Sequence, residues 1–94
     1  MTTPEHVKLV RKITGKHIKL HRKLLKMTQR DLAAAMGKPR SCASNIFDYE
    51  AGNASPRLPM RKLLDETFIR EMSLKAAELE AALESYEPLA SKVE

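Results

Sequence analysis

The side chains that could carry catalysis or hold a metal are few, and their spacing supports little chemistry. His17 and His21 are separated by one helical turn, a spacing that puts two metal ligands on one face of a helix. No nearby residues supply further ligands, so we expect no metal site and place His21 at the core edge. Cys42, the one cysteine, has no base partner in the sequence. Phosphate-binding glycine loops and acid–base motifs are also absent, so we predict no enzyme activity and no cofactor.

Charge is the second chemical feature, and it is distributed unevenly along the 94 residues. Residues 1–40 have a net charge of +9, residues 41–70 are neutral, and residues 71–94 have a net charge of −4. A basic half of this kind favours a polyanionic partner, with simple solvation of a helix face as the open alternative. The single cysteine, and the lack of an apolar run of roughly 20 residues or of a signal-like N-terminus, predict a cytoplasmic protein without a membrane partner.

The elements that must position these residues are predicted to be helices. Ala, Leu, Lys, Glu and Arg dominate the composition, which favours helices over strands. A cap at Thr3 begins the first helix, and whether that helix continues through Gly15 stays open. Thr28 and Asp31 predict a capping box, and Gly37 ends the short helix that follows.

A third and a fourth helix follow the same kind of signal. We expect Ser41 to cap a third helix that runs to about Tyr49. Loop residues occupy positions 51–56, and a fourth helix begins at Leu58 or Pro59.

The longest periodic pattern lies near the C-terminus. Apolar residues recur there at alternating intervals of three and four, which is the spacing of a coiled-coil seam. The seam residues are Ile69, Met72, Ala76, Leu79, Leu83 and Tyr86. Pro88 should end this helix near residues 85–87. The seam favours a dimer interface, and the alternative is a helix folded back on its own domain.

A set of motifs runs in order from Gly15 to residue 64. They are Gly15–Ile18, Arg22, Met27–Ala33 and Ile46–Gly52 with Pro56 shortly after it. Together they resemble the opening, the first-helix arginine, the entry into helix 2 and the exit from helix 3 of the Cro/repressor (XRE) helix-turn-helix family. The stretch 48–52 is also similar to multiprotein bridging factors.

The resemblance implies an all-α, lambda-repressor-like helix-turn-helix domain of about five helices with an extended C-terminal helix. Residues 1–14 would form an N-terminal helical extension, residues 15–70 the DNA-binding domain, and residues 71–94 the dimerisation element. The implied function is a transcriptional regulator, a repressor rather than an activator, that binds a palindromic operator in double-stranded DNA as a homodimer. Two alternatives stay open: the DNA-binding antitoxin of a toxin–antitoxin pair, and a module that bridges to transcription machinery or other proteins without a DNA role.

The same resemblance assigns roles to individual residues. Counted back from Glu50, the candidates for base contacts are Ala43, Ser44, Asn45 and Asp48, with Arg40 before them. The candidates for phosphate contacts are Thr28, Gln29, Lys38, Asn53 and Arg57. Arg22 and Glu50 should pair, and Leu32, Ala33 and Ile46 should be buried. Phe47 is open to two interpretations, contact with a thymine methyl group or partial burial. The interval from Gly37 to Glu50 is three residues longer than is usual in the family, so the extra residues lie in 38–42 or lengthen the front of helix 3.

Overall fold

The computed structural model describes residues 3–91. Over that range the regular structure consists of five α-helices and two short 3₁₀ turns, with no strand. The helices are α1 (Pro4–Leu24), α2 (Gln29–Ala35), α3 (Ala43–Ala51), α4 (Leu58–Leu74) and α5 (Ala76–Glu84). The 3₁₀ turns are Arg40–Cys42 and Leu89–Ser91. The predicted all-α class is therefore confirmed for the described residues.

The first helix, α1, runs without a break through Gly15, the point that the sequence left open. The side-chain oxygen of Thr3 accepts a hydrogen bond from the backbone N–H of His6 at 3.0 Å, so the predicted cap is present. Gly15 is buried, and a Cβ at this position would lie 2.4 Å from the carbonyl oxygen of Tyr49. The missing side chain therefore lets the end of α3 approach α1. Residues 4–14, expected as an extension, form the first half of the same helix.

The ends of α2 are fixed by local hydrogen bonds, as predicted. The hydroxyl oxygen of Thr28 accepts from the N–H of Asp31, and the Asp31 carboxylate accepts from the N–H of Thr28, each at 3.0 Å. The backbone bond from Thr28 lowers the pKa of Asp31. Gly37 follows the helix at φ 74°, and the N–H of Lys38 donates to the carbonyl of Ala33 at 3.0 Å. This left-handed Schellman closure sets the direction in which the chain leaves α2.

The expected cap at Ser41 is wrong. Pro39 begins a 3₁₀ turn, Arg40–Cys42, that leads directly into α3. This turn supplies hydrogen-bond acceptors for two backbone N–H groups. The N–H of Cys42 donates to the carbonyl of Pro39 at 2.9 Å, and the N–H of Ala43 donates to the carbonyl of Arg40. The first turn of α3 therefore needs no side-chain cap. The extra residues of this interval form a helical turn in front of α3.

The core lies where α1, α2, α3 and α4 meet, and the tail covers one side of it. The expected burial of Leu32, Ala33 and Ile46 is confirmed, since none of them is more than 2% exposed. The other fully buried apolar residues are Ile18, Leu25, Leu64, Phe68, Met72 and Leu89. The two helices α2 and α3 are thus attached to α1 and α4 through a shared apolar interior, which fixes their relative orientation.

The continuous C-terminal helix that the heptad pattern predicts is wrong. α4 ends at Leu74, and Lys75 and Leu79 both have non-helical backbone angles. Met72 is 0% exposed in the protein's own core. Leu79, Leu83 and Tyr86 pack against that core, whereas Ile69 and Ala76 are exposed. Most of the pattern is therefore explained by a chain that folds back on its own domain, the alternative to a dimer seam.

A buried carboxylate holds this folded-back segment. Asp65 is 7% exposed and accepts hydrogen bonds from the hydroxyl of Tyr86 at 2.5 Å, the N–H of Leu89 at 2.7 Å and the N–H of Ala90 at 2.8 Å. Three donors around one carboxylate satisfy much of its acceptor capacity. Burial raises the pKa of the Tyr86 phenol, and the hydrogen bond to Asp65 raises it further. Asp65 of α4 therefore holds the segment from Tyr86 to Ala90 against the protein's own domain.

Candidate nucleic-acid interface

An ion pair joins the three helices that would position a DNA-reading surface. Nε of Arg22 donates to one carboxylate oxygen of Glu50 at 2.7 Å, and Nη2 donates to the other at 2.9 Å. The two side chains are only 12% and 6% exposed. Nη1 of Arg22 also donates to the carbonyl of Met27 at 2.8 Å, just before α2. The hydrogen bonds that Arg22 donates to Glu50 raise the pKa of Arg22, which stays charged. The pair that the resemblance implies is therefore present and bidentate.

The start of α2 is partly engaged by these internal bonds. Thr28 uses its hydroxyl for the capping box, although the residue is exposed. Gln29 is half-buried, and its side-chain amide donates to Glu50 at 3.4 Å. Thr28 therefore caps α2, and Gln29 links the start of α2 to the end of α3 in this structure. The free N–H groups of the helix N-terminus lie at the same place.

The exposed residues of α3 are two polar ones, Ser44 and Asn45, and two apolar ones, Phe47 and Ala51. Ser44 and Asn45 are exposed, whereas Ala43 and Asp48 are half-buried. The hydroxyl of Ser44 donates to the carbonyl of Ser41 at 3.1 Å, a bond within the first helical turn. The amide of Asn45 can form the bidentate contact to adenine for which its donor and acceptor are matched.

A groove of about 490 Å³ lies between α3 and the start of α4 and collects residues from both candidate groups. Asn45 and Asp48 line it from α3, while Lys38 and Arg57 line it from the flanking loops. Ser55 also lines it, and its buried hydroxyl has no hydrogen-bond partner among residues 3–91. Two cations beside polar side chains could hold a phosphate or another anion next to the exposed residues of α3.

The remaining candidates lie at the edges of this surface. Arg40 is exposed on the 3₁₀ turn before α3. Asn53 is exposed after α3, where its N–H donates to the carbonyl of Asp48 at 2.9 Å. Gly52, at φ 79°, makes that turn possible. The groove thus brings together Asn45 and Asp48 from one group and Lys38 and Arg57 from the other, whereas Thr28 and Gln29 have internal roles.

Phe47 of α3 and Arg70 of α4 have positions that could not be predicted from the sequence. Phe47 is 57% exposed on α3, so more than half of its surface is accessible. Arg70 of α4 donates to the carbonyl of Ala35 at 2.5 Å and so supports the end of α2. Arg70 is distant in sequence from α2 and belongs to no local motif, so no sequence signal identifies this contact.

The histidine pair belongs to the core edge, as expected for His21. That residue is 8% exposed, and its Nδ1 donates to the carbonyl of His17 at 2.7 Å. The two imidazole rings are 4.2 Å apart between centroids and lie beside Phe68 and Tyr86. No group of three or more His, Cys, Asp or Glu side chains in residues 3–91 could hold a metal ion.

Comparison with known proteins gives no further identification. No family model, no curated protein and no solved structure matches the chain. Within the described range, no helix is long and apolar enough to cross a membrane.

Proposed function

We propose that this protein is a DNA-binding transcriptional regulator of the helix-turn-helix kind, in which α3 enters the major groove. The observation that carries the proposal is the ion pair between Arg22 and Glu50. It fixes α1, the start of α2 and the end of α3 relative to one another, while the polar face of α3 stays accessible. A reading helix needs this combination, because base contacts require a fixed angle together with exposed donors and acceptors.

The local charges favour a nucleic-acid partner over a protein partner. Lys38 and Arg57 line the groove beside Asn45 and Asp48, Arg40 lies on the turn that leads into α3, and all three cations are exposed. Each can neutralise a phosphate that flanks the groove in which α3 lies. Gln29 and Asn53 could add neutral phosphate contacts. In this arrangement the cations supply affinity, and Ser44, Asn45 and Asp48 supply the choice of sequence.

The helical turn before α3 adds one residue, Arg40, that could contact a base. Because Arg40–Cys42 continues into α3, Arg40 lies at the leading end of the helix that would enter the groove. A guanidinium there can bind guanine bidentately or reach a phosphate. Phe47 would contact a thymine methyl group, which is the apolar feature of the major groove.

Alanine substitutions on a duplex selected from a random pool test this assignment. Asn45→Ala, Ser44→Ala and Asp48→Ala should each weaken binding to the selected duplex by about 1–3 kcal/mol while binding to unrelated duplexes is unchanged. Arg57→Ala should weaken binding to both kinds of duplex, because phosphates carry no sequence information. Glu66→Ala, at an exposed position of α4 outside the groove, is the control. Wild-type selectivity in all three α3 variants would contradict the placement of the reading helix.

A further inference from the structure

The outer face of α1 carries an apolar stripe that is about half exposed. Leu9 is 55% exposed, Ile13 is 45% exposed and Leu20 is 56% exposed. At about 100° per residue, the three side chains lie within a sector of roughly 40° and form a line about 16 Å long. Ile18, at 0% exposure, marks the opposite side of the helix, which faces the core. Three aligned apolar side chains differ from singly scattered ones, because one partner can cover all of them at once.

A row of lysines runs beside this stripe. All the lysines of α1 are exposed, and they follow one another at intervals of three or four residues over about 22 Å. They are Lys8, Lys12, Lys16, Lys19 and Lys23. The helix has one acid, Glu5, near its N-terminal end. No lysine of the row forms an ion pair with an acid among residues 3–91. The exposed half of α1 is therefore apolar along one line and cationic along the next.

On its other side the stripe borders a groove of about 330 Å³. Ile13, Lys16 and Leu20 line this groove from α1, and Ser85 and Glu87 line it from the segment after α5. The groove contains both a cation and an acid, so it favours neither sign of charge. The lysine row is the part of this face that carries a single sign.

We propose that the outer face of α1 binds an acidic amphipathic helix of another protein. The stripe contacts the apolar side of that helix, and the lysine row pairs with Asp and Glu side chains along one of its flanks. Apolar residues spaced by three and four positions in the partner match the line of Leu9, Ile13 and Leu20. Charge complementarity selects the sign of the partner, because the exposed charge of this face is almost entirely positive. This partner goes beyond the proposed function and does not depend on it.

Other occupants match the face less well. A second copy of α1 brings no acidic row to the lysines, because Glu5 is the one acid of that helix. A nucleic-acid backbone neutralises the lysines but leaves the apolar stripe uncovered. An anionic membrane is wide and flat, so contact through the stripe would also bring the exposed Glu87 across the groove towards the same negative surface. A single helix, about 10 Å across, covers the stripe and the lysine row without extending over that segment.

Binding of synthetic peptides to the full chain tests the proposal. The probe is a fluorescent peptide of about 18 residues with leucines on one face and glutamates along one flank, and its anisotropy is titrated with the protein. One control peptide carries lysine in place of each glutamate, and another has the same composition in an order without an apolar face. We expect the probe to bind at least about 10-fold more tightly than either control, with an affinity that falls as salt is raised. Equal binding of the three peptides, or no binding of the probe, would overturn the proposal.

Substitutions in the stripe locate the apolar contact. Leu9→Gln with Leu20→Gln should weaken binding of the probe by at least about 10-fold, because two of its apolar contacts are lost. The matched control is Leu58→Gln with Leu74→Gln, which makes the same changes at exposed positions of α4 and should bind like wild type. Circular dichroism verifies that both variants keep their helices. A stripe variant that binds the probe like its control would contradict the assigned surface.

Substitutions in the lysine row test the ionic contact and separate the other occupants. Lys12→Gln with Lys19→Gln should weaken binding of the probe by at least about 10-fold and reduce its salt dependence. The control, Arg30→Gln with Lys62→Gln, removes the same charge from exposed positions of α2 and α4. Vesicles of phosphatidylserine and phosphatidylcholine should not sediment the protein, and the two variants should bind a random duplex equally. Vesicle binding that depends on the stripe, or a duplex affinity that falls only in the α1 variant, would assign this face to a membrane or to DNA and overturn the proposal.

Discussion

The region from α1 to α3 and the C-terminal region both carry regular sequence patterns, but the two patterns differ in what they determine. In the first region, the capping box of Thr28, the turn at Gly37 and the pair of Arg22 with Glu50 all form as predicted. In the second region, the apolar spacing correctly marks Met72 as buried but assigns it the wrong partner. A cap involves residues a few positions apart, so the sequence contains both partners. Apolar periodicity shows that a face is covered and not what covers it.

The strongest test of this contrast is a double substitution in the C-terminal region. Leu79→Glu with Leu83→Glu would only dissociate a dimer if these residues formed a seam between chains. In the folded-back structure they pack on the core, so we expect the free energy of unfolding to fall by about 3–5 kcal/mol. Urea denaturation monitored by circular dichroism measures this loss. Glu80→Lys, an exposed change on the same helix, is the control. Unchanged stability together with the loss of a dimer would show that Leu79 and Leu83 form a seam between two chains.

A second substitution tests the region that the sequence predicts well. Glu50→Ala leaves the guanidinium of Arg22 buried without its carboxylate, and we expect a loss of about 3 kcal/mol in the free energy of unfolding. The control is Glu71→Ala, since Arg70 and Glu71 are 3.7 Å apart and more exposed, and it should cost less than about 1 kcal/mol. Urea titrations of the two variants compare these costs directly. Equal, small losses would show that the pair does not hold the three helices together.

A third substitution asks whether the close approach of α1 and α3 matters. Alanine is a better helix former than glycine by about 1 kcal/mol, so Gly15→Ala should stabilise an isolated helix. Here the new Cβ would meet the backbone of Tyr49, and we expect a net loss of about 2 kcal/mol from overpacking. Gly37→Ala has no neighbour within 4 Å and should cost about 1 kcal/mol from its positive φ alone. Thermal denaturation ranks the two. A stabilised Gly15→Ala variant would contradict this packing.

The smallest expected effect comes from Tyr86→Phe. The change removes the hydrogen bond from the phenol to Asp65, and we expect a loss of about 1–2 kcal/mol at neutral pH. The pKa of Tyr86 is raised above 10.0, its ordinary value, so the unfolded chain releases the phenolic proton first as the pH rises. Wild-type stability should therefore fall as the pH increases above about 10, and the variant should lack this component. Urea denaturation at pH 7 and above pH 10 measures both effects. The same pH dependence in wild type and variant would contradict the buried bond.

How much the sequence determines depends on the distance over which each contact acts. The helix starts at Thr3 and Thr28 are set by neighbours in the chain, and both were predictable. The prediction of a cap at Ser41 was wrong, because a 3₁₀ turn that begins at Pro39 already provides acceptors for the N–H groups before α3. The role of Asp65 could not be predicted, because Tyr86, Leu89 and Ala90, which donate hydrogen bonds to it, lie more than 20 residues away in the chain.

The candidate site shows the same division. The pairing of Arg22 with Glu50 followed from a family resemblance. The exposure of Phe47 and the support of α2 by Arg70 required the packed structure, since both depend on how α3 and α4 lie against their neighbours.

Selection of duplexes from a random DNA pool, followed by titration of the selected duplex at several salt concentrations, tests the central claim most directly. We expect enrichment of a defined sequence that Asn45→Ala binds less selectively. We also expect a plot of log affinity against log salt with a slope of roughly −3.6 or steeper, because at least four phosphates are neutralised. An unenriched pool would contradict the claim that α3 reads DNA, and an affinity that does not change with salt would contradict the role of the surrounding cations.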